Sequence, residues 1–172
     1  MVYISLGRIF LALFATHFCA DSVFAMTKSS ENPSPTYITA DEITFEQTLN
    51  KATAQGHVIV KRDGSTLTAN RVEVYFSKTA KNHSIALIKA FEAVRIENPE
   101  NVAQGDFGTY DCEKDEIVLE GNVCVTDHKN QIKGSYGVMN RKTGITKVLN
   151  HKPGLVNKSP NARVSAMISS NE

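Results

Sequence analysis

The sequence predicts an all-β fold, a curled antiparallel sheet built from repeated hairpins, and three observations support this prediction. Short β-type segments recur at a fixed offset, apolar residues alternate with polar ones, and turn-forming residues separate the alternating segments. Helical periodicity is almost absent. A hairpin cannot bury its apolar face alone, so we expect neighbouring hairpins to stack and complete a continuous core.

At the N-terminus, residues 1–25 indicate a secretory signal peptide. Arg8 precedes an apolar run over residues 9–14, and Val23-Phe24-Ala25 forms a cleavage pattern that ends in a small residue. We expect cleavage after Ala25. The run is shorter than the ~20 residues of a membrane-spanning helix, so we expect no anchor.

The polar composition of the two ends sets the predicted limits of the folded body. Residues 26–36 are polar and contain proline, which favours a flexible lead. Residues 152–172 are again polar and predict a mobile C-terminal tail. The folded domain is therefore predicted at residues 37–151.

Within that body the repeat is specific in order and spacing. Ala-Asp-Glu-Ile-Thr-Phe at residues 40–45 corresponds to Gly-Asp-Phe-Gly-Thr-Tyr at 105–110, and the Gly-x-Val-x-Val strand at 56–60 reappears at 121–125, in both cases 65 residues later. A third, degenerate copy lies between them, because residues 54–60 match residues 90–96. We expect about ten or more short strands.

A small residue precedes a short polar residue at four places where the apolar alternation changes phase. These pairs are Ala40-Asp41, Ala69-Asn70, Gly105-Asp106 and Gly134-Ser135. Such pairs suit a bulge or corner, where one extra residue bends the strand. The sheet is therefore predicted to be bent rather than flat.

Charge, cysteine and motif content argue against several function classes. The net charge of +1 lacks the basic excess of a nucleic-acid-binding face. Cys112 and Cys124 are too few for a disulfide scaffold and lie on opposite strand parities. The histidines at 57, 83, 128 and 151 have no metal-ligand spacing, and neither a P-loop nor a Gly-x-Ser-x-Gly motif occurs. We therefore expect no enzymatic activity, no metal and no cofactor.

The two opening motifs, their copies and the secretory start resemble the OstA-like family of lipopolysaccharide-transport proteins. The resemblance covers nearly the whole predicted body. It implies a twisted antiparallel β-jellyroll, open on one side, that shields the acyl chains of lipopolysaccharide in the periplasm. It also implies head-to-tail stacking of identical subunits, inner- and outer-membrane transport partners, a role in outer-membrane biogenesis, and no covalent chemistry.

The alternation itself allows a lipid groove, because the inward parity carries many alanines that underfill the interior, such as Ala52, Ala54, Ala69, Ala90 and Ala103. We expect the groove to be lined by fifteen inward-facing residues. They are Ile43, Phe45, Val58, Val60, Leu67, Val72, Val74, Val94, Ile96, Tyr110, Ile117, Leu119, Val123, Val125 and Ile132.

Exposed strand edges invite pairing with other chains, and we expect them at residues 37–43 and 144–149. Basic residues near hairpin ends could meet phosphates of an anionic glycolipid, but solvated surface cations are the simpler explanation: Lys61, Arg62, Lys78, Lys81, Lys129 and Lys133. Two alternatives remain at this point. One is the periplasmic domain of the inner-membrane partner with residues 1–25 retained, and the other is a protein-binding repeat module with a filled interior.

Overall fold

The computed structural model describes residues 35–77, 84–154 and 163–169, all within the unit Pro33–Glu172. The predicted signal peptide and most of the predicted lead lie outside these ranges, as do Lys78, Lys81 and His83. None of the helices in the described ranges is long and apolar enough to cross a membrane.

The described residues form ten β-strands and one short 3₁₀ turn at Gln47–Leu49. The strands are β1 Tyr37–Thr39, β2 Glu42–Glu46, β3 Lys51–Arg62, β4 Ser65–Phe76, β5 Ile85–Glu97, β6 Asn101–Asp111, β7 Glu116–Asp127, β8 Asn130–Asn140, β9 Ile145–Leu149 and β10 Ser165–Met167. The all-β prediction is confirmed. The six central strands, β3 to β8, have 11–13 residues each and are longer than expected.

All ten strands belong to one open antiparallel sheet in which β3 to β8 pair in sequence order. At one side of the sheet β1 and β2 both pair with β3, and at the other side β9 and β10 both pair with β8. The predicted edge segments therefore lie at the two sides of the sheet. One strand lies past residue 151, inside the predicted tail, because Ser165–Met167 pair with Lys133, Ile132 and Gln131.

Each pairing from β3/β4 to β7/β8 has a register shift near its middle, and these shifts align across the sheet; β4/β5 has a second shift between Tyr75 and Phe76. Two residues with positive φ on β3, β5 or β7 face one residue of the neighbouring strand, as in a β-bulge. The pairs are Gly56-His57, Glu92-Ala93 and Gly121-Asn122. We call this row, with Asp41, Asn70, Asp106 and Ser135 opposite the pairs, the crease.

The crease corrects one detail of the sequence prediction. The four pairs of a small and a polar residue do lie where the strands bend, but the extra residues belong to the strands that face them. The reason is conformational, because the inserted residues adopt left-handed φ values, +74° at Gly121 and +46° at Asn122. Glycine and asparagine tolerate that conformation better than most residues.

The crease divides the sheet into two halves, here called arm 1 and arm 2. Arm 1 contains β1, β10 and residues 58–62, 65–69, 94–97, 101–105, 123–127 and 130–134. Arm 2 contains β2, β9 and residues 51–55, 71–76, 85–91, 107–111, 116–120 and 136–140. Near the crease the inner faces of the arms touch. A Cβ atom on Gly108 of arm 2 would lie 3.1 Å from Val94 Cγ1 of arm 1.

The core is densest beside the crease, where the bend brings the two arms closest together. Leu119 and Val72 of arm 2 are completely buried, and Val58, Val94 and Val123 of arm 1 are almost as fully covered. These side chains belong to one cluster of buried apolar residues. Burial of this cluster holds the two arms together, since each large aliphatic side chain contributes about 1.5–3 kcal/mol on full burial.

Candidate functional site

Farther from the crease, the arms separate and enclose a cavity of about 320 Å³. Its apolar wall comes from both arms. Arm 1 contributes Val60, Leu67, Ile96, Ala103 and Val125, and arm 2 contributes Ile88, Tyr110, Ile117 and Met139. The alternation of inward apolar residues on neighbouring strands places these side chains on facing walls, so the cavity can accept an apolar ligand.

Polar residues surround the cavity where the strands end in turns. Arg62, Ser65, Asn98 and Asn101 lie at the hairpin ends of arm 1, and Asn140 and Arg141 at a hairpin end of arm 2; Thr36, Gly144 and Thr146 complete the lining. The cavity therefore has an apolar interior and a polar mouth. That arrangement matches an amphiphile whose hydrocarbon part enters first.

One side of the mouth is held by three polar residues. The Tyr110 hydroxyl donates a hydrogen bond to Asp115 Oδ1 at 2.8 Å, and Arg141 Nη1 lies 3.3 Å from the same hydroxyl and 3.6 Å from Asp115 Oδ1. Burial, followed by the hydrogen bond to Asp115, raises the pKa of Tyr110. The phenol is therefore neutral at physiological pH and orients the ring against the cavity.

The two arms also approach each other at the mouth through Arg62 and Cys112. Arg62 ends β3 in arm 1, Cys112 follows β6 in arm 2, and the charge of the guanidinium acts on the Cys112 thiol. Half-burial raises the pKa of the Cys112 thiol, and Arg62 partly offsets that effect. Cys112 and Cys124 are both free thiols.

The fifteen residues predicted to line a groove fall into four groups. Six line the cavity: Val60, Leu67, Ile96, Tyr110, Ile117 and Val125. Six are buried in the core: Val58, Val72, Val74, Val94, Leu119 and Val123. Ile43 and Phe45 are about half exposed on the edge strand β2, and Ile132 is half-buried on β8 opposite β10. The alternation assigns a residue to the inner face but does not separate lining from core. Val60 is buried and also lines the cavity, whereas Val74 is a core residue although it pairs with the lining residue Ile88.

Three apolar residues of the lining were absent from that set, namely Ile88, Ala103 and Met139. Ile88 has the parity of Ala90, and Met139 has the parity of the inward-facing Gly137, so the alternation could have found both. Ala103 had been predicted only to underfill the interior. The Arg141 and asparagine side chains at the mouth were missed because hairpin ends are polar in most sheets.

Exposed large apolar side chains concentrate at the sides of the sheet. Tyr37, Ile43, Phe45 and Leu49 lie on or beside β1 and β2, and Ile145, Val164, Met167 and Ile168 lie on or beside β9 and β10. Ile59 on β3 is the other such residue in the described ranges. Apolar side chains next to unpaired strand edges favour pairing with another strand.

Three histidines in the described ranges each contact one polar side chain. His57 contacts Asp41, His128 contacts Asp127, and His151 contacts Asn150. No group of three or more His, Cys, Asp or Glu residues in those ranges could hold a metal ion.

Comparison with known proteins identifies a family and solved structures with a similar fold. Residues 37–145 match the family described as the LptA/(LptD N-terminal domain) LPS transport protein family. The fold is similar to the crystal structure of LptH from Pseudomonas aeruginosa, the LptA-homologous periplasmic component of its lipopolysaccharide transport device. That match has a TM-score of 0.69 and 20% identity, and covers 79% of this chain and 96% of that one. No curated protein matches the sequence.

Proposed function

Because the chain belongs to the LptA/LptD N-terminal domain family of LPS transport proteins, we propose that it is a periplasmic carrier that holds acyl chains of lipopolysaccharide between its two arms. The observation that carries this proposal is the cavity of about 320 Å³ with an apolar wall and a polar mouth. The carrier moves its ligand without changing it covalently, so the energy for directed transport comes from other proteins.

Hydrocarbon burial gives the driving force for this binding. At ~0.8 kcal/mol per buried CH₂ group, an acyl chain of about twelve carbons is held by roughly 10 kcal/mol relative to water. A lipid that left the cavity for water would lose this stabilisation. Passage from one apolar cavity to the next avoids that loss, which is the physical advantage of a carrier protein over free diffusion.

The size of the cavity supports assembly of several copies. About 320 Å³ lies at the small end of ligand pockets. One copy therefore holds part of a lipid with several acyl chains, and a second copy continues the apolar surface. The inward-facing residues Ile43 and Phe45 are about half exposed on β2, where a neighbouring subunit would cover them.

Head-to-tail pairing is the arrangement that the two edges support. One copy presents β1 and β2, and the next presents β9 and β10, so each contact joins two different surfaces. Contacts of this kind need not close into a ring and therefore allow open chains. Such a chain would link inner-membrane and outer-membrane transport proteins and would continue one apolar path between them.

Lipid titration of the purified protein, followed by native mass spectrometry, tests the proposal. We expect lipopolysaccharide adducts on the wild-type protein, and a loss of adducts in Leu67→Glu, which places a carboxylate on the cavity wall. Ile59→Glu is the control, because Ile59 is 38% exposed and lies outside this lining. Wild-type protein without adducts would contradict the proposal and would favour a module that binds only protein.

A further inference from the structure

The charge of the cavity lining has one sign. Among the described residues that line it, the charged side chains are Arg62 and Arg141, and no aspartate or glutamate faces it. Arg62 comes from arm 1 and Arg141 from arm 2. Two guanidinium groups, one from each arm, therefore border the same apolar cavity.

Both arginines are held by contacts to acidic residues outside the lining. Arg62 Nε lies 3.3 Å from Asp63 Oδ2, and Arg141 Nη1 lies 3.6 Å from Asp115 Oδ1. These contacts engage one nitrogen of each guanidinium, whereas the group carries five N–H donors. The side chains of Arg62 and Arg141 remain 29% and 42% exposed, so further donors can reach a ligand.

Guanidinium groups suit phosphate better than most side chains do, because their planar donors can bind two oxygens at once. A pair of arginines beside an apolar wall can bind a phosphate that is covalently close to acyl chains. The low polarity of the adjoining wall strengthens such an ion pair relative to one in open water.

We propose that Arg62 and Arg141 form a binding site for the phosphate groups of the glycolipid whose acyl chains occupy the cavity. This inference rests on the proposed function and adds to it the position of the lipid head group. The lipid binds with its phosphorylated end at the mouth and its chains toward the crease, so the orientation of the ligand is the same in every copy.

Binding of phosphorylated lipid A, dephosphorylated lipid A and inorganic phosphate to the full chain tests the proposal. We expect the phosphorylated lipid to bind about a hundredfold more tightly than the dephosphorylated one, with each arginine accounting for about tenfold. Arg62→Gln and Arg141→Gln should each lower affinity for the phosphorylated lipid by about tenfold. The double variant should bind both lipids equally.

The control variant is Arg95→Gln. Arg95 is 40% exposed and paired with Glu97 at 3.1 Å, as Arg62 is paired with Asp63, but it lies outside the cavity lining. It should leave the preference for phosphorylated lipid unchanged. Affinity for dephosphorylated lipid should remain the same in all variants, which also shows that the cavity is intact.

The outcomes separate the two proposals. Wild-type protein that binds both lipids equally overturns the phosphate site and leaves the acyl-binding function standing. Wild-type protein that binds neither lipid overturns both. Binding of inorganic phosphate as tight as that of the phosphorylated lipid, lost in the double variant, would indicate a site for free anions and overturn the assignment to a lipid head group.

Discussion

The side-chain amide of Asn122 donates a hydrogen bond to Asp106 Oδ2 at 2.8 Å across the crease, and His57 Nδ1 lies 2.8 Å from Asp41 Oδ2 one repeat earlier. The two residues of each pair lie 16 positions apart, and the pair Asp106/Asn122 follows the pair Asp41/His57 by 65 residues. The sequence repeat is therefore also a repeat of contacts. In each case the polar residue opposite the bulge binds the second residue of the bulge.

Gly121→Ala tests the conformation of the crease. A Cβ atom at Gly121, where φ is +74°, would lie 2.3 Å from Asp106 Oδ2. We expect a loss of about 2–4 kcal/mol in the free energy of unfolding, from backbone strain and steric overlap together, measured by urea denaturation.

Gly144→Ala is the matched control for this substitution. Gly144 has a φ of +68° but no atom within 4 Å of the added Cβ. The free energy of unfolding of Gly144→Ala should therefore fall by the cost of backbone strain alone, about 1–2 kcal/mol. Equal losses in the two variants would show that Asp106 does not restrict the crease.

Leu119→Ala and Leu67→Ala distinguish the core from the cavity wall. Leu119 is completely buried, so its truncation should cost about 2–5 kcal/mol in denaturation experiments. Leu67 is only half-buried and lines the cavity, so its truncation should cost about 1 kcal/mol. A larger loss in Leu67→Ala would mean that the cavity wall, not the crease, holds the arms together.

The raised pKa of Tyr110 predicts a loss of stability at alkaline pH. Its pKa is raised in the folded state, so the folded protein keeps a phenolic proton that the unfolded chain releases near pH 10. The unfolded state therefore binds fewer protons in this range, and the free energy of unfolding falls as pH rises above about 10. Tyr110→Phe should reduce that fall in urea titrations across this range. An unchanged fall would contradict the burial of this phenol.

Oligomer formation through the two edges predicts a complementation pattern. Ile43→Lys places a charge on β2, and Met167→Lys places one on β10. Each variant alone should be monomeric in sedimentation velocity, whereas an equimolar mixture should form dimers and nothing longer, because one intact contact remains.

Ile59→Lys is the control for the edge variants, since Ile59 lies on β3 rather than at an edge, and it should assemble as the wild type does. Homodimers of Ile43→Lys or of Met167→Lys alone would indicate a symmetric contact instead of a head-to-tail one.

The sequence predicted the strands, the bends and the edges because each depends on local patterns that repeat. It did not identify the strands that carry the extra residues, since Glu92-Ala93 adopts left-handed φ values without a glycine. Alternation also could not separate Val58 and Val123, which are core residues, from Val60 and Val125, which line the cavity one strand period farther from the crease. Strand β10 was missed because a strand of three residues carries too little pattern, and the polar composition of the surrounding tail outweighed Val164, Met167 and Ile168.

Photo-crosslinking in cells tests the central claim most directly, with the photoreactive residue placed at Leu67 or Ile117 on the cavity wall. The matched positions are Ile59 and Val118, which have the opposite strand parity and lie outside the lining. The account predicts lipopolysaccharide adducts at the first two positions and none at the second two. Equal labelling at all four, or labelling only outside the cavity, would contradict it.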